Sequence, residues 1–315
     1  MRVNTNPAAL PDDIRVFDRG WLSSSNVLCL GDRPALIDTG HVKHADQTVA
    51  RVRAALDGQA LATIAHTHLH SDHCGGTGAL QAAWPAATTW VPEVSLATVQ
   101  AWDEQALTFG ETGQRCARFR AERGLRPGSS VRLGRRQWDI HPAPGHDPLA
   151  VLLFEPEARL LVAGDALWEH GVGLIFPVLD GSDGFVPYLR TLDAIEALQP
   201  DWVIPGHGPE IARATGAIDR ALAQARSRIA HWQAHPEQHA LHAVRVMIKY
   251  QFMDVEAMPW AEFAHWIDTS PLLRQVHQHW GAGEDWETWW RQLVDAMVAK
   301  GTLGRTATHI LDHPG

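Results

Sequence analysis

Lysine is almost missing from this chain. Lys43, Lys249 and Lys300 are the only three in 315 residues, and arginine carries the rest of the basic charge. With 27 basic against 36 acidic side chains and a formal charge of −9, the chain lacks the basic excess that marks a dedicated binder of nucleic acid or anionic membrane. Cysteine is scarce as well. Cys29, Cys74 and Cys116 are odd in number and form no C-x-x-C pair, which excludes a disulfide framework and a cysteine-based zinc ribbon. No apolar run approaches the roughly 18–20 residues of a membrane span. The opening stretch MRVNTNPAALPDDIRVFDRGW has neither the apolar core nor the cleavage site of a secretory signal, so the expected location is the cytoplasm. What is plentiful is histidine, 19 in all, and imidazole is the commonest metal ligand. Composition alone does not make a metal site. Position has to decide.

Short β-like runs open the chain at Ile14–Phe17, Asn26–Leu30 and Pro34–Ile37, separated by glycine-containing turns. A helical period follows through Val49, Val52, Ala55 and Leu56. The buried-strand run Leu61–Ala65 leads into His66-Thr67-His68, then a helix over 78–84 and a strand at Thr88–Val91. Residues 93–126 carry few strand signals and read as a helical excursion over the sheet. Strands resume at Gln137–His141, Leu149–Phe154 and Arg159–Ala163, followed by a helix over 186–198 and a strand at Trp202–Ile204. This alternation predicts an α/β domain over residues 1–210. Residues 211–315 change texture: they are nearly all helical in pattern, hold seven of the 14 tryptophans, and close on helix, glycine turn and short hairpin. They predict a helical C-terminal domain with a winged-helix-like ending, and they are the candidate surface for a homodimer.

The motif that carries chemistry is His68-Leu69-His70-Ser71-Asp72-His73, placed where a buried strand ends and the pair Gly75-Gly76 begins. In extended chain His68 and His70 project to one side and can chelate one metal. Asp72 and His73, at the turn into the next helix, point elsewhere and can chelate a second. Three later elements each set one ligand type just after a strand beside glycine or proline: Pro144-Gly145-His146, Gly164-Asp165 and Pro205-Gly206-His207-Gly208. Seven ligands at strand ends on one edge of a sheet make a two-metal site.

In this order, H-x-H-x-D-H, P-G-H, G-D and P-G-H-G resemble the metallo-β-lactamase fold hydrolases, and Leu36-Ile37-Asp38-Thr39-Gly40 matches that family's early strand and turn. The resemblance covers residues from about 10 to 210. It implies a four-layer αββα sandwich, followed here by the mostly helical C-terminal segment. It also implies that His68, His70 and His146 hold the first metal, that Asp72, His73 and His207 hold the second, and that Asp165 bridges them. Nitrogen and oxygen donors without thiolate suit two Zn²⁺, with Fe or Mn as alternatives. Such ions lower the pKa of a bound water from 15.7 toward about 7. Asp72, beside that nucleophile, is the expected catalytic group that orients it or takes its proton.

The expected reaction is hydrolysis of an ester-like bond in a small acyl ester, thioester or lactone. An endoribonuclease or phosphodiesterase is the alternative, weakened by the acidic balance of residues 1–210, which hold 17 of the basic and 25 of the acidic side chains. An iron-dependent redox enzyme and a metal-binding protein without catalysis stand further back. A glutathione thioesterase is not expected either, because it needs basic and tyrosine groups near the C-terminal helices. The two tyrosines, Tyr188 and Tyr250, show no such cluster in the sequence. Around the ligands, Asp38 is expected to brace the metal loop. Asp147 is expected to brace His146 or shape the pocket, and His66 to be a core or bracing histidine. Cys74 reads as a small buried residue. Trp168, Glu169 and Phe176, with Trp21, are the pocket candidates, and Trp102 is a weaker one. Trp286, Trp289 and Trp290 are expected to pack helices together.

Overall fold

A computed structural model describes residues 9–179, 181–281 and 283–313. Its first sheet takes strands β1 (Ile14–Phe17), β2 (Asn26–Cys29), β3 (Ala35–Ile37), β4 (Thr63–Ala65), β5 (Thr88–Pro92) and β6 (Arg123–Leu125) in sequence order. The second takes β7 (Ser130–Leu133), β8 (Arg136–Pro142), β9 (Val151–Glu155), β10 (Leu160–Gly164), β11 (Trp202–Pro205) and β12 (Ile211–Ala212), again side by side in sequence order.

The period of two along each strand explains how the sheets stack. Val27, Cys29, Ala35 and Ile37 of the first sheet meet Val151, Leu153, Leu160 and Val162 of the second in a shared core. The intervening residues point outward: Leu28, Leu36 and Ile64 pack on α1 (Ala45–Leu56) through Val52 and Leu56. The helix α2 (Ser71–Cys74) and the helix α3 (Thr77–Ala83) follow β4, and Leu80 of α3 joins that outer layer. Helices α4 (Leu96–Ala101) and α5 (Phe109–Thr112) and the turn α6 (Phe176–Leu179) are short. On the far side Leu152, Phe154, Leu161 and Val203 pack on α7 (Phe185–Leu198) and α8 (Ala217–Ala234). Helix, sheet, sheet and helix thus form the four-layer αββα sandwich.

Beyond it, α9 (Pro236–Val255), α10 (Trp260–Thr269), α11 (Pro271–Trp280) and α12 (Trp286–Ala299) enclose a separate apolar core with β13 (Ala257–Pro259), β14 (Leu303–Arg305) and β15 (His309–Asp312). These strands pair in the order β13-β15-β14. Trp289 and Trp290 are buried in that core and Trp286 stacks on Trp289 at 5.7 Å. No helix among the described residues is long and apolar enough to cross a membrane.

The structure departs from the sequence reading at sheet edges. The 93–126 stretch contains edge strand β6 after short helices, and β7, which has no counterpart in the sequence reading, precedes β8. Edge strands pair on one side only, so short, charged stretches suffice. β12 lies past residue 210 yet pairs with β11, so the second sheet extends into the stretch assigned to the C-terminal part. β13 is a strand inside what reads as an all-helical run.

Candidate metal centre

Every residue of the motif arrives at one rim because the strands that deliver them end there. Asp38 follows β3, the run His66–His73 follows β4, His146 sits in the turn between β8 and β9, Asp165 follows β10 and His207 follows β11. β3 and β4 are parallel, as are β10 and β11, so their carboxyl ends face the same way. Two glycines let the loops close. Gly145 has φ +151, and a Cβ there would overlap the Tyr188 ring. A Cβ on Gly206 would overlap Asp165 Oδ1 and stand 2.8 Å from His73 Cε1.

The ligand-type atoms gather in two groups, His68 with His70 and His146, and Asp72 with His73, Asp165 and His207. In the first, His70 Nδ1 lies 3.1 Å from His68 Nε2 and 2.8 Å from His146 Nε2. In the second, His207 Nε2 is 3.0 Å from Asp72 Oδ2 and His73 Nε2 is 3.2 Å from Asp165 Oδ1. Asp165 reaches both groups, its Oδ2 being 3.4 Å from His146 Nε2 and 3.8 Å from His207 Nε2.

The outward ring nitrogens are held by the protein. His68 Nδ1 is 3.1 Å from Thr67 Oγ1, and His73 Nδ1 is 2.8 Å from Asp38 Oδ2. His146 Nδ1 is 2.6 Å from the Leu174 carbonyl, and His207 Nδ1 is 3.4 Å from the Gly20 carbonyl. A carbonyl or carboxylate at Nδ1 accepts a hydrogen bond from the ring N–H and leaves Nε2 as a lone pair facing inward, as a metal requires. His73 Nε2 is buried without a hydrogen-bond partner among the described residues. A buried polar atom in that state is costly unless a further group occupies the space before it. The donor set therefore fits a pair of divalent ions.

Electrostatics separates the two groups. Burial, with the neighbouring histidines adding to it, holds His68 well below the usual imidazole value. Burial lowers His70 to about 4 against the pull of Asp72, and lowers His146 to about 4 with His70 contributing. These three are neutral donors at pH 7. In the second group burial opposes charge, but Asp165, Asp38 and Asp72 raise His73 and Asp165 with Asp72 raises His207. In turn His73 and His207 hold Asp72 down to about 2 and Asp165 well below the carboxylate range, against the effect of burial.

Asp38, itself at φ +56, accepts from Thr67 N at 2.9 Å and from Thr67 Oγ1 at 2.8 Å, besides its contact with His73. His66 is fully buried, 2.9 Å from Thr77 Oγ1. Cys74 is buried with its Sγ 3.6 Å from that of Cys116. Asp147 lies near His70, its Oδ2 3.9 Å from Nε2, while Oδ1 accepts from Leu149 N.

A cavity of about 740 Å³ opens over the two groups, and Trp21, Trp168, Glu169 and Phe176 all line it. Trp21 stacks on His207 with centroids 5.6 Å apart, and Phe176 meets His70 at 4.8 Å. Trp102 does not reach the cavity; it packs on Phe109 and Phe119. The far wall comes from helices whose contribution has no motif in sequence. Arg245, Lys249 and Tyr250 of α9, Arg228 of α8 and Lys300 after α12 line it, and the Tyr250 hydroxyl is 3.0 Å from Ser71 Oγ. The ground for setting aside a glutathione thioesterase, an absent cluster of basic and tyrosine groups, is overturned. Folding assembles that cluster from residues up to 72 positions apart.

The chain belongs to the metallo-beta-lactamase superfamily, whose profile it matches over residues 18–207. It is 33 % identical over 228 residues to a hydroxyacylglutathione hydrolase of Anaeromyxobacter dehalogenans, covering 70 % of this chain and 76 % of that one. It is 28 % identical over 153 residues to an acyl-coenzyme A thioesterase of Gallus gallus, covering 45 % of this chain and about half, 54 %, of the relative. Among solved structures, a metallo-beta-lactamase family protein of Thermus thermophilus superposes with a TM-score of 0.55 at 20 % identity. That match covers 96 % of this chain and all of the other, so the likeness of fold extends through the C-terminal helices. The chain is a metallo-beta-lactamase fold hydrolase.

Proposed function

We propose that this hydrolase uses two divalent ions, Zn²⁺ in the first instance with Fe or Mn as alternatives, to cleave a small acyl ester, thioester or lactone. The observation that carries the reading is Asp165, one carboxylate within 3.2–3.8 Å of ring nitrogens from both ligand groups. His68 Nε2, His70 Nδ1 and His146 Nε2 would hold one ion; Asp72, His73 Nε2 and His207 Nε2 would hold the other; Asp165 would touch both. When bound, such ions supply Lewis acidity and an acidified water.

The chain's own residues do the rest. Asp72 lines the cavity, orients the attacking water and takes up its proton at the carboxylate. Asp38 fixes His73 through its outward nitrogen. Trp21, Trp168 and Phe176 form an apolar mouth that excludes bulk water from the reacting group. The two relatives, named as a hydrolase of hydroxyacylglutathione and a thioesterase of acyl-coenzyme A, support acyl substrates over phosphodiesters. So does the net negative charge.

The test is a panel of thioesters, lactones, aryl esters, phosphodiesters and single-stranded RNA with metal-loaded protein, alongside metal analysis. Close to two ions per chain, acyl turnover, and its loss in His68→Ala are expected. Efficient RNA cleavage without acyl turnover, or unchanged activity of His68→Ala, overturns the reading.

A further inference from the structure

His146 leans on a single peptide unit. Its Nδ1 donates to the Leu174 carbonyl at 2.6 Å, and the N–H on the other side of that same planar unit, from Ile175, donates to His239 Nε2 at 3.1 Å. His239 lies in the first turn of α9, fully buried and outside the lining of the cavity. Side chains grip the peptide from both ends. Leu174 packs into the core enclosed by α9 to α12, while Ile175 packs into the core between the second sheet and helices α7 and α8. Its neighbours are tied to the ligand loops as well: Gly173 N–H donates to the Asp165 carbonyl and Phe176 N–H to the His146 carbonyl, both at 3.4 Å.

The tautomer of His239 follows from its partner. A peptide N–H can only donate, so Nε2 carries the lone pair and Nδ1 the proton. Burial, with His242 adding to it, lowers His239 to about 4, which keeps the ring neutral and Nε2 an acceptor at pH 7. His239 Nδ1 is buried without a hydrogen-bond partner among the described residues. That orphan donor destabilises the fold, and an aromatic hydrocarbon between Trp232 and Phe185, the rings that His239 meets at 4.7 and 6.1 Å, would avoid it. What imidazole adds at this place is the acceptor for Ile175. Hydrogen bonds on the two sides of one amide polarise it together, so each strengthens the other.

We infer that His239 is a positioning residue for the first ligand group: through the Leu174–Ile175 peptide it fixes the carbonyl that orients His146, and so governs how tightly His68, His70 and His146 hold their ion. The inference rests on the two-ion reading for what is held, and on the hydrogen bonds alone for how His239 acts.

The test compares the natural sequence with His239→Phe, which keeps an aromatic ring but removes the acceptor, and with His239→Gln, whose amide oxygen reaches about as far from the main chain as Nε2. Zn²⁺ dissociation constants are read by competition with a chromophoric chelator, and circular dichroism confirms each fold. His239→Phe should weaken one ion about tenfold or more and the other much less, and His239→Gln should recover most of that loss. A second measurement needs no variant. In protein isotopically labelled at isoleucine nitrogen, adding Zn²⁺ should move the Ile175 amide proton resonance downfield. An ion on His146 Nε2 makes Nδ1–H a stronger donor, and the peptide passes the polarisation on to His239. Unchanged dissociation constants in His239→Phe, equal weakening of both ions, or a His239→Gln no better than His239→Phe overturns the inference. So does an Ile175 amide that is indifferent to Zn²⁺. These readouts report metal binding and not turnover. A protein that meets them and cleaves no acyl substrate counts against the hydrolase reading alone, whereas a natural sequence that takes up no Zn²⁺ overturns both.

Discussion

The Tyr250 hydroxyl stands 3.0 Å from Ser71 Oγ, joining α9 to the residue between two metal-ligand positions although 179 residues separate them in sequence. This bond makes the helical region part of the site's frame rather than an appendage.

Loss of that bond gives a coupling prediction. Tyr250→Phe and Ser71→Ala should each destabilise the protein by about 1 kcal/mol, and the double variant by less than the sum, because one bond is removed in all three. Urea unfolding of the four proteins measures the difference.

Asp38 should act through His73. Asp38→Ala removes the carboxylate from His73 Nδ1 and from both donors of Thr67. Metal affinity is expected to fall by about 10- to 100-fold, read by competition with a chromophoric chelator. Asp38→Asn, which keeps one acceptor, should fall less.

Gly206→Ala tests steric closure. Its methyl would overlap Asp165 Oδ1, the carboxylate shared by the two ligand groups. Metal content is expected to drop by half or more while the far-ultraviolet dichroism is retained, and a variant that still holds two ions would show that the loop yields.

Acid stability should trace to the clamp between sheets. Arg136 grips Asp13 with Nε–Oδ2 and Nη2–Oδ1 both at 2.7 Å, and Arg135 adds a third contact. Burial raises the Asp13 carboxyl, yet Arg136 and Arg135 outweigh it and hold it at about 2. A depressed carboxyl stabilises the fold above its ordinary value near 3.9 and loses that contribution as pH falls toward 2. Asp13→Asn should therefore cost roughly 3 kcal/mol at pH 7, by leaving Arg136 poorly compensated, and the gap should narrow between pH 4 and pH 2. Denaturation midpoints across that range measure it.

Metal removal should also be visible in stability. Ions that bind only the folded state add about 2.7 kcal/mol when present at a hundred times their dissociation constant. Chelation should lower the melting temperature, and re-addition of Zn²⁺ should restore it.

The sequence made the site far more legible than its walls. Ligand loops must run straight out of strands, so His68 through His73, His146, Asp165 and His207 carry local signatures of apolar run, turn residue and donor. The groups that orient them do not: Leu174 and Gly20 offer main-chain carbonyls, which any residue has. Arg245 and Tyr250 sit on a helix at a spacing that reads equally well as a solvated face, and only the docking of α9 turns that face inward. Trp102 shows the converse, an aromatic with a pocket-like setting that fills a small core instead. Edge strands β6, β7 and β13 escape because three or four residues with one paired side need no hydrophobic pattern.

The cavity draws its ligand-bearing rim from residues before 210 and most of its cationic wall from residues after it. The two walls of one cavity are therefore written in separate stretches of chain. Outside Tyr250, substitutions on α9 and at the end of α12 alter the cationic wall without replacing a residue of either ligand group.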